Sequence, residues 1–425
     1  MHQRVLNAEI QPLSAQDFVR FLLRWHQLDN PEASAPRGAA ALRLAIEKLE
    51  GWEAPAAAWE HALLAPRVRH YEAEQLDQLC SSGEVVWGRL PVPSELSEHP
   101  EAQRGGVMPV AAHSAGVEME VSSRAAPRPP TKLASVTFAR RGEMDWVLAA
   151  TGAADVALPA DAPLHTQAIF EVLALHGASF APALVRLSKL DAATVEEALW
   201  DLLCRGLVTA DDVDNLRAMP AARRLHEQKK LGRGSRGRWG IAQALGSYTS
   251  DDITERAARL FLQRYGLVFR DLVVREPTAP RWHALVLAYR RMEARGEIRG
   301  GHFVARVVGE QFALPEAVEM SRAVRREKPD GRRVRVAAVD PLNLTALLAP
   351  PLLLPRILGE WVVYVDGVVQ VEGLGHVEGL TQADDALRKD DALRKDDVLR
   401  KDDVLRSDEG LDGESQRTEE ALAGE

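Results

Sequence analysis

LDQLCSSGEVVWG (residues 76–88), LWDLLCRGLVTAD (residues 199–211) and YRRMEARGEIRGG (residues 289–301) align on Gly83, Gly206 and Gly296. Seven residues before the glycine stand Leu76, Leu199 and Tyr289; four before it, Leu79, Leu202 and Met292; two after it, Val85, Val208 and Ile298. Apolar positions three apart share one helix face, and a glycine just past the last turn takes the left-handed conformation that stops a helix. The β-branched residues that follow favour a strand. Each unit reads as a helix, a tight stop and a strand.

Further short amphipathic patterns lie upstream of each unit: Phe18, Phe21, Leu22 and Trp25 before the first, and Ile169, Val172 and Leu173 before the second. Leu260, Phe261 and Tyr265, then Phe269, Leu272 and Val273 beyond Gly266, precede the third. Helices followed by a β hairpin are the order of a winged helix-turn-helix, whose third helix can enter a groove of a duplex. Asp191, just before ATVEEALWDLL, is the expected N-cap of one such third helix.

Between the units the composition changes. PVPSELSEHP and AAPRPPTK mark residues 93–132 as a linker or loosely structured insertion. Residues 221–238 hold seven Lys/Arg against one Glu, with three glycines, so 221–252 reads as a basic linker. Short β-branched runs (HFVARVV, RRVRVAAV, WVVYVDGVVQV) around one helix at Pro315–Arg326 suggest a small β-barrel or sheet over 309–380. From 384 the chain repeats DDALRK-like hexads, a period that fits neither 3.6 nor 3.5, so its leucines form no seam and 381–425 reads as a solvated, disordered charged tail. The expected fold class is therefore α+β, mainly α: winged-helix modules at 1–92, 133–220 and 253–308, the β-rich module and the tail.

Charge separates the same regions. The formal net charge of −9 divides into −10 for residues 1–220, +8 for 221–380 (26 basic against 18 acidic) and −7 for 381–425. A basic block inside an acidic chain is the electrostatic footprint of a phosphate-binding surface. Only two cysteines occur, with no metal-ligand spacing, so disulfides and structural zinc are not expected. No signal-peptide order or membrane-length apolar run appears, which makes a cytoplasmic protein with no membrane partner the expectation.

No G-x-x-x-x-G-K-[ST] loop is present, so neither an ATP-driven motor nor any other cofactor is expected from these residues. Gly232, Gly234 and Gly237 satisfy G-x-G-x-x-G, but a basic segment and not a strand precedes them. Asp211, Asp212 and Asp214 lack the glycine and distal glutamate of a calcium loop and read as a solvated turn. No nucleophile elbow or H-E-x-x-H occurs, and no catalytic residue is assigned.

The strongest nucleic-acid signal is RWHALVLAYRRMEARGEIRGGHF (residues 281–303). Leu285, Tyr289 and Met292 take one face, leaving Arg281, Arg290, Arg291, Arg295, Arg299 and His302 on or near the rest, partly offset by Glu293 and Glu297. Arginine suits phosphate because its fork is bidentate and permanently charged. Arg233, Arg236 and Arg238 beside Trp239 interleave base and aromatic, a pattern able to add phosphate contacts or stacking. The competing reading of these arginines is a solvated basic face or a surface for an acidic protein.

Several longer runs resemble the C-terminal region of the bacterial large helicase-related (Lhr) proteins: LSAQDFVRFLLRWH, GWEAPAAAWE, LDQLCSSGEVVWGRL, VEEALWDLLCRGLVTADDVDNLRA, RYGLVFRDLVVRE, YRRMEARGEIRGGHFV, GEQFALPEAVE and VDPLNL. The resemblance covers about residues 1–375 and is interrupted near 91–132. It implies a tandem winged-helix array similar to AlkZ-type DNA glycosylases, linked in that family to oligomerisation, to ATP-dependent 3′-to-5′ DNA translocation by upstream motor domains, to RNA:DNA unwinding, to uracil excision and to DNA repair. The expectation is a DNA-binding accessory region without its own motor, serving a homo-oligomer or a separate motor chain. A glycosylase-like enzyme and an assembly scaffold are the alternatives. Asp340 in VDPLNL and Asp366 in YVDG are acidic residues of the matching runs, read first as turn formers.

Overall fold

In the computed structural model the described residues are 11–29, 37–90, 134–151, 158, 162–218, 237–242, 247–348 and 358–370. The three aligned glycines stop three helices in the same way. Gly83, Gly206 and Gly296 have φ of 79°, 72° and 76°. In each case the glycine amide donates to the carbonyl three residues back, and the next amide donates five back: Glu84 to Leu79, Leu207 to Leu202 and Glu297 to Met292. This is the Schellman pattern, which satisfies carbonyls that the helix end would leave bare. The nine aligned apolar side chains are all buried.

Three winged helices result. The first comprises α2 (Gly38–Leu49), β1 (Ala54–Pro55), a run of 3₁₀ and π turns over Ala56–Arg67, α3 (Ala73–Ser81), β2 (Val85–Gly88) and β3 (Ser135–Arg140). The helix α1 (Ala15–Trp25), capped by Ser14, precedes it. After α4 (Arg141–Ala150) the second comprises α5 (Leu164–His176), β4 (Ser179–Phe180), α6 (Ala181–Ser188), α7 (Ala192–Cys204) and β5 (Val208–Ala210). A short α8 (Val213–Ala218) leads to its last strand, β6 (Arg238–Ile241). Asp191 caps α7 by accepting from the Ala193 and Thr194 amides, each at 3.0 Å.

The third winged helix comprises α9 (Ser250–Tyr265), β7 (Leu267–Phe269), α10 (Arg270–Val273), α11 (Trp282–Ala294), β8 (Arg299–Gly301) and β9 (Gln311–Ala313). Beyond it come α12 (Pro315–Arg326), β10 (Arg333–Ala337), α13 (Thr345–Leu348), β11 (Trp361–Val365) and β12 (Val368–Gln370). The last three strands form an open antiparallel sheet in the order β10-β11-β12, so the β-rich module is a sheet and not a barrel.

Strand pairing moves one expected boundary. Ser135–Arg140 pairs antiparallel with both Val85–Gly88 and Ala54–Pro55. The Pro- and Ser-rich stretch 93–132 therefore lies in sequence between two strands of one sheet, and the strand that follows it belongs with the first winged helix. The first two modules are also joined edge to edge. β2 pairs with β5, giving a six-stranded sheet β1-β3-β2-β5-β6-β4 in which three strands of each module lie on either side of the seam. Gly88 opposes Thr209 at this seam, where an added Cβ would lie 3.0 Å from the Thr209 methyl.

Two cores follow from this pairing. One lies along the six-stranded sheet and contains Trp52, Trp59, Trp87 and Trp239. The other gathers the third winged helix, α1, α4, α12 and the final sheet around Phe18, Phe21, Phe269 and Tyr289. Phe18 and Phe21 thus pack with the third module, Phe18 lying 5.6 Å from Phe269, and α2 is the first helix of the first module. No helix among the described residues is long and apolar enough to cross a membrane. The tail expected at 381–425 and most of the basic stretch 221–252 fall outside the described residues.

Candidate nucleic-acid interface

The third helix of the third module, α11, buries Leu285, Val286, Ala288, Tyr289 and Met292. The opposite face presents His283, Leu287, Arg290, Arg291, Ala294 and Arg295 to solvent. His283, Leu287, Arg290 and Ala294 follow one another at spacings of four, three and four, so they form one stripe. His283 and Leu287 belong to this face and were not among the residues singled out from the sequence, although the same spacing marks them. Arg281 stands exposed at the N-cap position of the helix.

Acids from other elements have already claimed part of the basic set. Arg290 donates through Nε and Nη2 to Glu310 Oε1 at 3.0 and 2.6 Å, joining the helix to the hairpin. Arg295 pairs with Glu255 at 2.9 Å and Glu297 at 2.5 Å. The side chains of Arg281, Arg291 and Arg299 are exposed and have no ion-pair partner among the described residues. Surface pairs of this kind contribute only about 0–1 kcal/mol, so a phosphate oxygen can exchange for the carboxylate at little cost.

The wing spans residues 302–310 between β8 and β9. Buried Gln311 fixes its base: Oε1 accepts from the Phe303 and Val304 amides at 2.9 and 2.8 Å, while Nε2 donates to the Val304 carbonyl at 3.0 Å. Glu293 accepts from the Gly300 amide at 3.0 Å, so it braces the start of the hairpin besides offsetting charge. Leu13 adds a short parallel bridge to Val304. His302 is exposed, with Nδ1 lying 3.3 Å from Gln311 Nε2. Replacing Gln311 with Ala strips two amides and a carbonyl of their partner; the expected result is about 1–3 kcal/mol less stability. Faster hydrogen exchange at Phe303 and Val304 than at β10 amides would show that the loss is local to the wing.

Elsewhere the basic set has other work. Arg238 lies in β6, where its Nε donates to Asp211 Oδ2 at 2.8 Å and its amide to Oδ1 at 2.6 Å. Trp239 is buried between Trp87 and Trp200, with ring centroids 6.3 and 5.7 Å away, so it offers no face for stacking. Asp211, expected in a solvated turn, is buried because it receives Arg238 and Arg141. Arg233 and Arg236 lie outside the described residues.

The two acidic candidates close turns. Asp366 has φ of 49° and accepts from the Asp330 and Gly331 amides at 3.0 and 2.9 Å. Asp340 is buried, accepts from the Leu342 amide at 2.9 Å and takes both arms of Arg67 at 2.7 and 2.9 Å. Arg67 also donates to His26 Nδ1 at 3.1 Å, and His26 Nε2 lies 2.8 Å from the Arg264 carbonyl. Burial, reinforced by Arg67, pushes the His26 pKa well below the ordinary value, which keeps the ring neutral.

Near this network Lys48 donates to the Trp25 carbonyl. Burial, and then the Arg67 charge, lower its pKa to about 8. The unfolded chain holds that proton up to about pH 10.4, so the folded state binds fewer protons between the two values and stability from this group rises with pH across that window. Below pH 8 the half-buried charge is a standing cost. Lys48→Met is expected to stabilise the chain by about 1–3 kcal/mol at pH 7, an advantage that shrinks towards pH 10.4. Paired urea unfolding curves at pH 7 and 10 check both the sign and the window.

Two segments of the chain match known winged-helix families. Residues 13–107 and 248–333 each match a family model described as the large helicase-related protein winged-helix domain, the third and fourth such domains respectively. A Lhr helicase and probable uracil glycosylase of Mycolicibacterium smegmatis is 27% identical over 376 residues, 80% of this chain and 21% of its own length. A Lhr helicase and uracil glycosylase of Escherichia coli K12 is 27% identical over 337 residues, 72% of this chain and 19% of its own length. The chain thus spans about a fifth of the length of these curated relatives. Among solved structures the DNA glycosylase AlkZ of Streptomyces sahachiroi aligns with a TM-score of 0.45 and 14% identity, covering 84% of this chain and 87% of that one.

Proposed function

We propose that this chain, which carries two large helicase-related winged-helix domains and a third winged helix between them, is a DNA-binding accessory region that grips phosphates through its last winged helix. The observation that carries the reading is the exposed face of α11 with Arg290, Arg291 and Arg295, flanked by Arg281 and Arg299, beside a braced wing bearing His302. A helix face of this kind set against a wing addresses a backbone from two sides. Service to a helicase motor draws on relatives named as helicases; a role in DNA repair, within a homo-oligomer or alongside a separate motor chain, is a further part of the proposal.

Fluorescence anisotropy with labelled single- and double-stranded DNA across a salt series tests it. Binding should weaken steeply with salt, and the Arg290, Arg291, Arg295, Arg299→Ala variant should lose affinity and flatten the log–log slope by about 0.9 for each phosphate contact removed. Arg291→Ala alone should flatten it by about 1. Unchanged binding by the quadruple variant would leave the scaffold reading in its place. Base excision is the second reading, drawn from the relatives' names, and release of uracil from a uracil-containing oligonucleotide decides it.

A further inference from the structure

A cleft of about 710 Å³ opens between the C-terminal end of α1, α2, α9 and the turn that follows α11. Its wall is mainly apolar, formed by Trp25, Ala41, Leu44, Leu262, Met292 and Leu314. Leu44 is 42% exposed on this wall, a large aliphatic side chain left partly uncovered. The volume falls in the range of about 300–1,000 Å³ that is usual for small-molecule sites.

One cation of this wall has no ion-pair partner among the described residues. Lys48 carries three donor hydrogens. Its described partners are the Trp25 carbonyl and the Trp25 ring, whose centroid lies 4.8 Å from Nζ. Among the described residues no carboxylate pairs with it, and the like charge of Arg67 acts against it. Three other charged groups of the cleft are engaged: Arg67 with Asp340, Arg259 with Glu255 and Glu297, and Glu297 also with Arg295. His26 is neutral and bonded at both nitrogens, and Glu316 stands exposed in the first turn of α12. A half-buried ammonium with a donor to spare above an apolar wall matches a ligand that brings one negative charge on an apolar body.

We propose that this cleft is a binding site for a small amphipathic anion, its carboxylate or phosphate group on Lys48 Nζ and its apolar body against Trp25, Leu44, Leu262 and Met292. The inference is independent of DNA binding by α11.

Calorimetric titration of the full chain with octanoate, octyl phosphate and 1-octanol tests it. One molecule of anion should bind per chain, at least about tenfold tighter than the neutral alcohol, a gap of about 1.4 kcal/mol. Lys48→Met, which removes a half-buried charge and should fold, is expected to erase that preference. Leu44→Glu at the partly exposed wall should weaken the anions through repulsion. Arg270→Met, at an exposed arginine on α10, should leave them unchanged. Whichever anion binds tighter identifies the head group. Equal affinity for alcohol and anion, undiminished anion binding by Lys48→Met, or no binding by the intact chain at millimolar concentration overturns the assignment.

Discussion

Asp340→Ala is expected to destabilise the chain by about 3–5 kcal/mol, because it leaves the Arg67 guanidinium buried without its counter-charge. Arg67 and Asp340 are 2% and 1% exposed, so water cannot replace the lost partner. The residues lie 273 positions apart and tie the turn before α3 to the loop after β10. Removing both charges together, in Arg67→Met with Asp340→Leu, should recover much of the loss, since two apolar side chains carry no desolvation penalty. Recovery will be incomplete, because Arg67 also donates to the Leu63 carbonyl and Asp340 accepts from the Leu342 amide. Denaturant midpoints of the single and double variants give the comparison. A double variant as unstable as the single would assign the cost to the hydrogen-bonded turn and not to the stranded charge.

Trp59→Ala should cost about 3–5 kcal/mol for a different reason. The indole is fully buried, its ring centroid lies 4.8 Å from that of Phe138, and Nε1 donates to the Val136 carbonyl at 3.0 Å. Substitution leaves a cavity against β3 and an orphaned acceptor on it. β3 is the strand that rejoins the first winged helix after the 93–132 stretch, so the loss should appear first as faster hydrogen exchange at Val136 and Phe138. Trp59→Phe, which keeps most of the volume but no donor, should fall between the two. Exchange that accelerates equally in β3 and β10 would mean that the two cores unfold as one and that Trp59 has no special hold on this strand.

The sequence by itself determined the three helix–glycine–strand units, the Asp191 cap, the α+β class and the basic character of α11. These are local properties: a three-residue periodicity, a position that needs positive φ, and a capping side chain act within a few residues of one another. Only the tertiary structure decided what those units were attached to. The partner of Val85–Gly88 lies beyond a long insertion, and no periodicity announces a β ladder across such a gap. Phe18 and Phe21 carry an amphipathic pattern that identifies a buried face but not the core that buries it. The arginines were legible as charge, whereas their engagement depended on acids brought from elsewhere by folding: Glu310 to Arg290, Glu255 to Arg295, Asp211 to Arg238 and Asp340 to Arg67. Nothing local to the sequence marks Lys48, and only the packing of α1 and α9 around it makes it a half-buried cation beside a cleft. Burial and pairing are set by contacts distant in sequence, which a local pattern does not encode.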